Sequence, residues 1–215
     1  MKNLSWLFLC VYFLSCGQEK KYHNLKNENT VLQSKTITEI LEFQKELNEE
    51  YKNPETSPLP DRYRKDFESL DFFKPDTNYV VIAKLKRMPN AVPFMLATTT
   101  DRKTKEVLYG IAFFELNGEK HQLEIYQSID LIEKDGYEDY LFLPFLDNTN
   151  AEETYGGGRY IDLTIPDKDN QIVINFNKAY NPYCAYNKKY SCPLVPRQNY
   201  LDTKVMAGVK AFKKK

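Results

Sequence analysis

Short β-prone runs, separated by turn residues, fill the chain from residue 79 to residue 206, and no helical periodicity interrupts them. The runs are rich in β-branched and aromatic residues, which fit the pleated surface of a sheet. Asn117-Gly118, between two such runs, is the strongest hairpin signal in the chain. Strands at this spacing without intervening helices predict antiparallel β-structure. The predicted strands are residues 79–85, 93–100, 107–116, 121–129, 141–143, 160–165, 172–176 and 201–206, with Asp167 to Asn170 as a hairpin turn between the two strands that flank it.

A helix is predicted before the first strand. Thr36 and Glu39 have the spacing of a capping box, with Thr36 as the N-cap, and Asn53-Pro54 ends the element. Residues 61–69, directly after Pro60, predict a short second helix. The fold class predicted is mainly β (α+β): an antiparallel β-sandwich or partly closed barrel with one or two N-terminal helices packed against it. The apolar residues at helical spacing in the first helix are Ile37, Ile40, Leu41, Leu47 and Tyr51.

The amino terminus has the pattern of an export signal. A basic start precedes an apolar run from Leu4 to Leu14 and the small residue Ser15. Because Cys16 follows directly, the pattern is similar to a bacterial lipobox, in which the new N-terminal cysteine is lipid-modified; an ordinary secretory peptide with a coincidental cysteine is the alternative. The predicted organisation is a lipoprotein signal peptide over residues 1–15, a flexible tether over 16–34 and a single β-rich domain over 35–215. Such a protein is exported and lipid-anchored to the bacterial cell envelope, at the periplasmic or outer membrane.

Composition excludes several classes of function. The chain carries 30 basic and 30 acidic residues without a basic stripe, so nucleic acid is not expected as a partner. The two histidines, His23 and His121, are too few for a zinc site built on several histidines, and no metal or cofactor is expected. A Ser-His-Asp or Cys-His triad would have to use His121, which lies in the polar half of a predicted strand.

Two cysteines remain in the predicted mature domain. Cys10 leaves with the signal and Cys16 is the predicted lipid attachment site, so Cys184 and Cys192 are left as an even pair. In an exported protein such a pair favours a disulfide. Residues 187–189 can supply the turn that brings the two together.

Residues 140–199 concentrate Tyr, Asn, Gly and Pro more densely than the rest of the chain. The sharpest feature is the glycine run 156–158, followed at once by Arg159 and Tyr160. One interpretation is a tight loop that enters a strand. The other is an anion site formed by Arg159 and the glycine N–H groups. A Walker phosphate loop is excluded because no Gly-Lys-Ser/Thr follows, and a dinucleotide fingerprint is excluded because the next element is a predicted strand.

Two motifs in this segment resemble those of domain of unknown function 1684, a bacterial family with many exported members in Bacteroidota-type bacteria. The first is ETYGGGRY, residues 153–160, and the second is NFNKAYNPYCAY, residues 175–186. The resemblance covers roughly residues 42–210 and implies a β-rich fold without an established activity. Further matching residues are Leu143-Pro144-Phe145, Asp147, Thr149, Cys192-Pro193, Pro196, Asn199 and Ala207-Gly208.

Three positions depart from the family pattern. Asn175 stands where the family tends to carry Asp, Gln198 where Glu usually precedes the Asn, and Val209 where an acidic residue follows Ala-Gly. If the family site binds a metal or uses a carboxylate base, this copy is weakened. If those acids only make structural hydrogen bonds, the amides at two of the three positions can serve instead.

A polar pocket forms if the two motif segments converge at one end of the barrel. It would suit a small polar or anionic ligand, a sugar or a peptide. The alternative is a polar core network in which Arg159 pairs with Asp147 or Asp162. In either case Arg159 is expected to be the central residue, because its planar fork holds an anionic ligand group or a neighbouring carboxylate. The candidate ligand-binding residues are Arg159, Tyr155, Gly156, Gly157, Gly158, Tyr160, Asn177, Tyr180, Asn181 and Tyr186.

Three functions remain open from the sequence. The first is a membrane-anchored envelope binding module with a Tyr/Asn/Arg-lined pocket. The second is a hydrolase that uses Asp147, Glu153 or Asp162 as acid or base, or Cys184 as nucleophile. Members of the resembled family without export signals keep both cysteines, which weakens a disulfide-only interpretation and leaves a reactive Cys184 open. Against a reactive Cys184, no histidine is bound to lie nearby and activate the thiol. The third is a structural interaction protein with no small-molecule ligand.

Overall fold

The computed structural model describes residues 22–168 and 170–213, with side chains from residue 30 onward. The predicted signal peptide, Cys16 and the start of the predicted tether lie outside the described residues. Among the described helices, none combines the length and the apolar character that a membrane span requires. The helices in this part of the chain are α1 (Tyr22–Lys52), α2 (Asp61–Arg64) and α3 (Ile129–Ile132).

Each of the eight predicted strands has a counterpart, although the last one shrinks to two residues. The mainly antiparallel β-fold with an N-terminal helix is therefore confirmed, and it takes the form of a curled half-barrel. The strands are β1 (Val80–Arg87), β2 (Phe94–Ala97), β3 (Lys103–Leu116), β4 (Glu119–Ser128), β5 (Tyr140–Asp147), β6 (Arg159–Thr164), β7 (Gln171–Asn175) and β8 (Tyr200–Leu201).

Six strands form the main path of the sheet in the order β6-β5-β4-β3-β1-β7; β2 pairs with β3, and β8 runs parallel to the end of β5. Although β6 and β7 are consecutive in sequence, they lie at opposite edges. The predicted hairpin between them is therefore wrong, and β7 pairs with β1 instead. In a flat sheet these edges would lie roughly 24 Å apart, close to the full reach of the short connection 165–170. Curling of the sheet relieves that separation.

The turn between β3 and β4 is the one that the sequence predicts. Asn117 has a φ of 55° and Gly118 a φ of 80°. Both residues therefore adopt the left-handed conformation that a two-residue hairpin turn of this type requires. The hairpin carries the longest ladder in the sheet, from Leu116 opposite Glu119 to Glu106 opposite Ser128.

The two faces of the sheet bury different clusters. On β5, Leu141, Leu143 and Phe145 point into the main apolar core, which all the strands of the main path share. Phe142 points to the opposite face, where it packs with Tyr126 and Tyr160 in a smaller aromatic cluster. Because both faces of β5 are covered, this strand is apolar from Leu141 to Leu146 instead of alternating between apolar and polar residues.

Helix α1 packs against the domain with the predicted face but begins earlier than predicted. Ile40, Leu47 and Tyr51 are buried, whereas Leu41 is exposed. Thr36 is not an N-cap, because the helix already starts at Tyr22 and the Thr36 hydroxyl donates to the carbonyl of Leu32, one turn back. The part of the predicted tether that follows Tyr22 is therefore helical. The helix ends at Lys52, directly before Asn53-Pro54, as the sequence predicts.

The C-terminal part of the domain after β7 is mostly irregular. It contains three single-turn 3-10 helices, at residues 176–178, 183–185 and 197–199, and the two-residue strand β8. Isolated bridges tie it to the sheet at Tyr160–Tyr180 and Thr98–Pro193. This segment therefore relies on side-chain hydrogen bonds to hold its place.

Candidate functional site

Arg159 lies at the start of β6 and is fully buried. Its Nη2 donates to Asp147 Oδ1 at 2.9 Å and to the carbonyl of Val205 at 2.9 Å, and its Nη1 donates to the carbonyl of Ala207. The guanidinium lies 5.1 Å from the centre of the Phe145 ring. Desolvation lowers the pKa of Arg159, and the neighbouring Asp147 opposes that shift. The predicted pairing of Arg159 with Asp147 is thus observed, and the guanidinium offers no surface to a ligand in solvent.

The partner carboxylate is equally enclosed. Asp147 Oδ2 accepts hydrogen bonds from the Thr149 N–H at 3.2 Å, the Thr149 hydroxyl at 2.8 Å and the Val205 N–H at 2.8 Å. Both charges are therefore paired and hydrogen-bonded, as buried charges must be. Asp147, proposed as an acid or base of a hydrolase, is committed to this network.

Two glycines of the run 156–158 pack so closely against neighbouring groups that a side chain would not fit. A Cβ on Gly157 would lie 2.5 Å from the ring of Tyr155. Gly158 has a φ of +88°, and a Cβ there would lie 2.7 Å from the carbonyl oxygen of Phe145 and 2.7 Å from Val195. The run is thus a tight turn into β6 that lets Arg159 reach the core. Gly156 is exposed at the start of this turn.

The buried asparagines act as clamps between backbone segments. Asn177 accepts from the N–H of Asp76 at 2.9 Å and donates to its carbonyl at 2.8 Å. Asn181 donates to the carbonyl of Lys210 at 2.9 Å and to the Tyr186 hydroxyl at 3.2 Å. Asn177, Asn181 and Tyr186 are therefore parts of a polar core network.

Asn199, matched to the family but not among the candidate site residues, plays the same role. It accepts from the Glu124 N–H at 2.8 Å and donates to the carbonyls of Glu124 at 2.8 Å and Pro144 at 2.7 Å. The ladder between β4 and β5 has a single register pair, Tyr126 opposite Phe142. Asn199 therefore bridges the two strands where their direct pairing is sparse.

The three departures from the family pattern lie in separate environments. Asn175 caps the 3-10 turn 176–178 by accepting from the N–H of Asn177 at 3.1 Å, a role that an Asp would share. Gln198 is exposed, and Val209 is buried in an apolar cluster with Leu70. The positions thus do not mark a site that has lost three carboxylates.

The predicted disulfide is not formed: within the described residues Cys184 and Cys192 are free thiols, the first half-buried and the second buried. The N–H of Cys184 donates to Sγ of Cys192 at 3.2 Å, so that sulfur serves as a hydrogen-bond acceptor. A hydrogen bond from the Cys192 thiol is the main cause that lowers the pKa of Cys184 to about 6, and the Tyr155 hydroxyl, 4.0 Å from Cys184 Sγ, lowers it further. The same thiol pair raises the pKa of Cys192.

A cavity of about 360 Å³ lies beside this network, between α1, β6 and residues 180–193. We call it the tyrosine pocket. Tyr160 and Tyr180 meet edge to face with their ring centres 5.9 Å apart, and Tyr183 and Tyr190 do so at 5.2 Å. The pocket is lined by Phe43, Leu47, Glu50, Tyr160, Asp162, Tyr180, Pro182, Tyr183, Tyr190, Ser191, Cys192 and Pro193.

Asp162 is the carboxylate that the pocket presents. Its Oδ1 accepts hydrogen bonds from the hydroxyls of Tyr180 at 2.7 Å and Tyr140 at 2.8 Å. The carboxylate reaches solvent, but the surrounding protein desolvates it, which raises the pKa of Asp162 although the two tyrosines oppose the shift. The environment of Asp162 therefore differs from that of a freely hydrated surface carboxylate.

A second depression, of about 520 Å³, lies between α2 and the C-terminal residues 210–213. Its wall carries charges of both signs, and Lys210 pairs there with Asp71 at 3.2 Å. It holds none of the sequence-predicted site residues. The tyrosine pocket is therefore the better candidate for a functional site.

Of the candidate ligand-binding residues, Tyr160 and Tyr180 line the tyrosine pocket, together with Asp162 from the hydrolase hypothesis and Cys192 from the predicted disulfide. The sequence interpretation did not include the residues that α1 contributes. Phe43, Leu47 and Glu50 share one helical face at spacings of four and three, a signal that was available but is also the ordinary pattern of core packing.

The other hydrolase candidates are engaged elsewhere. Glu153 pairs with Lys204 at 3.1 Å. His121 packs against Phe114, and its Nε2 is buried without a hydrogen-bond partner in the described residues, so it activates no nucleophile there. In the same part of the chain, no group of three or more His, Cys, Asp or Glu side chains is arranged to hold a metal ion.

A family model described as "Protein of unknown function (DUF1684)" matches residues 65–210, which include the Arg159–Asp147 pair and the asparagine clamps. The chain belongs to the DUF1684 family. The solution NMR structure of an uncharacterised protein of Haloarcula marismortui is 32% identical to this DUF1684 chain, with a TM-score of 0.62; the match covers 87% of this chain and 96% of that one. No functionally curated protein matches it. The family resemblance seen in the sequence is thus confirmed.

We predict that Arg159→Met lowers the free energy of unfolding of this DUF1684 protein by about 3–5 kcal/mol, because it leaves the buried Asp147 carboxylate without its cation. Arg159→Lys, which keeps the charge but loses the planar fork, should cost about 1–3 kcal/mol. Lys204→Met is the matched control, since the exposed bridges of Lys204 to Glu152 and Glu153 contribute less than about 1 kcal/mol. Urea unfolding measures all three, and equal losses for Arg159→Met and Lys204→Met would contradict the assignment.

Cys184 should react with iodoacetamide as a thiolate at neutral pH. The rate of its alkylation, followed by mass spectrometry of the Cys184 peptide, should rise with pH to a midpoint near the pKa of about 6. Cys192→Ala removes the thiol donor and should move the midpoint upward, toward the ordinary thiol value of about 8.5. Cys192→Ser, which keeps a donor, should move it less. A wild-type midpoint already near 8.5 would refute the thiol–thiol hydrogen bond.

Proposed function

We propose that this DUF1684 protein is a membrane-anchored envelope protein that binds a small polar ligand in the tyrosine pocket. The observation that carries the proposal is the pocket itself: a concave cavity of about 360 Å³ with aromatic walls and a few convergent polar groups. This combination of shape and lining is typical of small-molecule sites.

The supporting framework favours a site formed before the ligand arrives. Tyr160 and Tyr180 exchange backbone hydrogen bonds at 2.9 and 3.0 Å, so the two rings are fixed relative to each other. Cys192 is held to the segment that follows β2 by the bond from the Thr99 N–H to its carbonyl, at 2.9 Å. Rigid walls reduce the ordering cost of binding, which raises the affinity that a given set of contacts provides.

Membrane attachment is proposed from the amino-terminal sequence. The apolar run up to Leu14, the small Ser15 and Cys16 match the order of groups in a lipoprotein signal. Acylation at Cys16 would leave the domain on the envelope surface, anchored by lipid and not by a spanning helix.

A thiol-dependent enzyme is the second candidate, because one observation favours it. Cys184 has a lowered pKa of about 6, and its neighbour Cys192 lines the tyrosine pocket. A thiolate beside a ligand pocket is the basic requirement for nucleophilic catalysis. The proposed carboxylate hydrolase has less support, because among its candidates only Asp162 borders the pocket.

Ligand binding is tested with a thermal-shift panel of monosaccharides, dipeptides and small amines on the mature protein. At least one member should raise Tm, and Tyr190→Ala should abolish that shift because it removes a half-buried aromatic wall. Tyr200→Ala is the matched control, since Tyr200 is half-exposed and outside the pocket. If no member of the panel raises Tm, or if Tyr190→Ala leaves the shift intact, the pocket is not the binding site.

Lipid attachment is tested with Cys16→Ser. The wild-type protein should incorporate labelled palmitate and partition into the detergent phase. The variant should do neither, and should accumulate as a soluble or unprocessed form, because the acylated sulfur is missing. Cys10→Ser is the matched control and should behave as wild type, since Cys10 lies within the signal. Unchanged labelling of Cys16→Ser would rule out this anchor.

A further inference from the structure

We infer that the ligand of the tyrosine pocket is an organic cation that carries an ammonium group; the inference rests on the proposed binding function and specifies its ligand class. The pocket lining contains two carboxylates, Glu50 and Asp162, and no Lys, Arg or His side chain. This charge disfavours the anionic ligand expected when Arg159 was taken as a lining residue.

Most of the tyrosine hydroxyls that line the pocket already donate to other groups of the protein. The hydroxyl of Tyr180 donates to Asp162, that of Tyr183 to Glu50 and that of Tyr160 to the carbonyl of Pro193. Each phenol has one hydrogen to donate, so these three cannot also donate to a ligand. Among the tyrosine hydroxyls of the described pocket, only that of Tyr190 is not engaged in this way.

Ser191 is committed as well. Its hydroxyl lies 2.8 Å from the Thr98 hydroxyl and 2.6 Å from that of Thr100, and it accepts from Arg102 Nε at 3.1 Å. The Cys192 N–H donates to the Thr99 hydroxyl at 3.1 Å. A carboxylate ligand needs donors, whereas an ammonium ion needs only acceptors and negative charge. The shortage of donors therefore disfavours an anion, and the negative charge of Glu50 and Asp162 favours an ammonium ion over an uncharged sugar.

The acceptor that remains is well placed. The two tyrosine bonds to Asp162 both end on Oδ1, and within the described residues no side chain bonds Oδ2. Glu50 is arranged in the same way, with Tyr183 bonded to Oε1. Each carboxylate is thus held by a tyrosine on one oxygen while the other oxygen can face a cation. Hydrogen bonds that fix a carboxylate reduce the reorganisation needed when the cation binds.

The aromatic walls add a second attraction for a cation. The face of a phenol or phenyl ring is negative, and rings surrounding a ligand stabilise ammonium groups by cation–π interaction. Two lysines of the protein already lie near rings of the pocket wall: Lys178 Nζ is 5.9 Å from the ring centre of Phe43, and Lys189 Nζ is 4.9 Å from that of Tyr190. Neither lysine lines the cavity, so the interior remains open to a cation from solution.

Isothermal titration calorimetry of the mature protein tests the inference with probes matched in shape. The cations are choline and ethanolamine, and 3,3-dimethyl-1-butanol is the uncharged isostere of choline. We expect at least one of the two cations to bind tenfold or more tightly than the isostere. Asp162→Asn, which keeps the shape and an acceptor but removes the charge, should weaken cation binding at least tenfold. Asp202→Asn is the control, since Asp202 is an exposed carboxylate bonded to Asn148.

Each outcome decides the inference. If neither cation binds more tightly than the isostere, or if Asp162→Asn binds the cation as well as Asp202→Asn does, the inference is overturned. If a sugar or a dipeptide stabilises the protein in a Tyr190-dependent way while both cations fail, the ammonium assignment falls and the proposed binding function stands. If no compound stabilises the protein, both fall. Circular dichroism of each variant at the titration temperature establishes that it is folded.

Discussion

The buried ion pair between Asp147 and Arg159 is the interaction on which the rest of the C-terminal architecture depends. The pair joins the end of β5 to the start of β6, and its spare hydrogen-bonding groups reach Val205 and Ala207 on an irregular segment. A buried charge pair needs additional hydrogen bonds to offset the cost of removing both charges from water. The pair therefore requires the 205–207 segment to stay in place, and Val205 and Ala207 of that segment are buried in the main apolar core.

The family motifs and the tyrosine pocket have different roles: the motifs hold the fold together, and the pocket is the candidate binding site. The motif residues are mostly enclosed: Arg159, Asn177 and Asn181 are buried and bond backbone groups. These residues position the pocket, because Asn177 and Asn181 flank Tyr180 and hold it beside Tyr160. The pocket then combines motif residues with a face of α1, outside the motifs. A site of this kind allows ligand preference to change while the framework is retained.

The strands, the Asn117-Gly118 turn and the buried face of α1 follow from the sequence because each is a local pattern of two to four residues' spacing. The order of the strands does not, since β6 and β7 flank a turn-like connection and yet occupy opposite edges. The sequence also marks Arg159 as a central residue. Whether its guanidinium binds a ligand or the protein depends on the side chains that surround it in the fold, and its partner Asp147 is twelve residues away in sequence. Local patterns carry no information on such a choice.

The tyrosine pocket was only partly predictable for a related reason. Its tyrosines belong to a segment rich in Tyr and Asn, and Tyr160 and Tyr180 were named. Glu50, by contrast, lies more than a hundred residues earlier and meets the pocket through Tyr183. An even cysteine pair in a chain with an export signal predicts a disulfide, whereas Cys184 and Cys192 are free thiols in the structure, where the N–H of Cys184 donates to Sγ of Cys192.

Native-state hydrogen exchange tests most directly whether the motif residues are structural clamps. The N–H groups of Asp76 and Val205 lie outside the strands and bond the side chains of Asn177 and Asp147, and the N–H of Glu124, on β4, bonds the side chain of Asn199. We predict that these amides exchange as slowly as paired amides of the central strands β3 and β4, because they open only when the whole domain unfolds. Exchange at the rate of exposed loop amides would contradict the account, since the clamps would then open independently of the sheet.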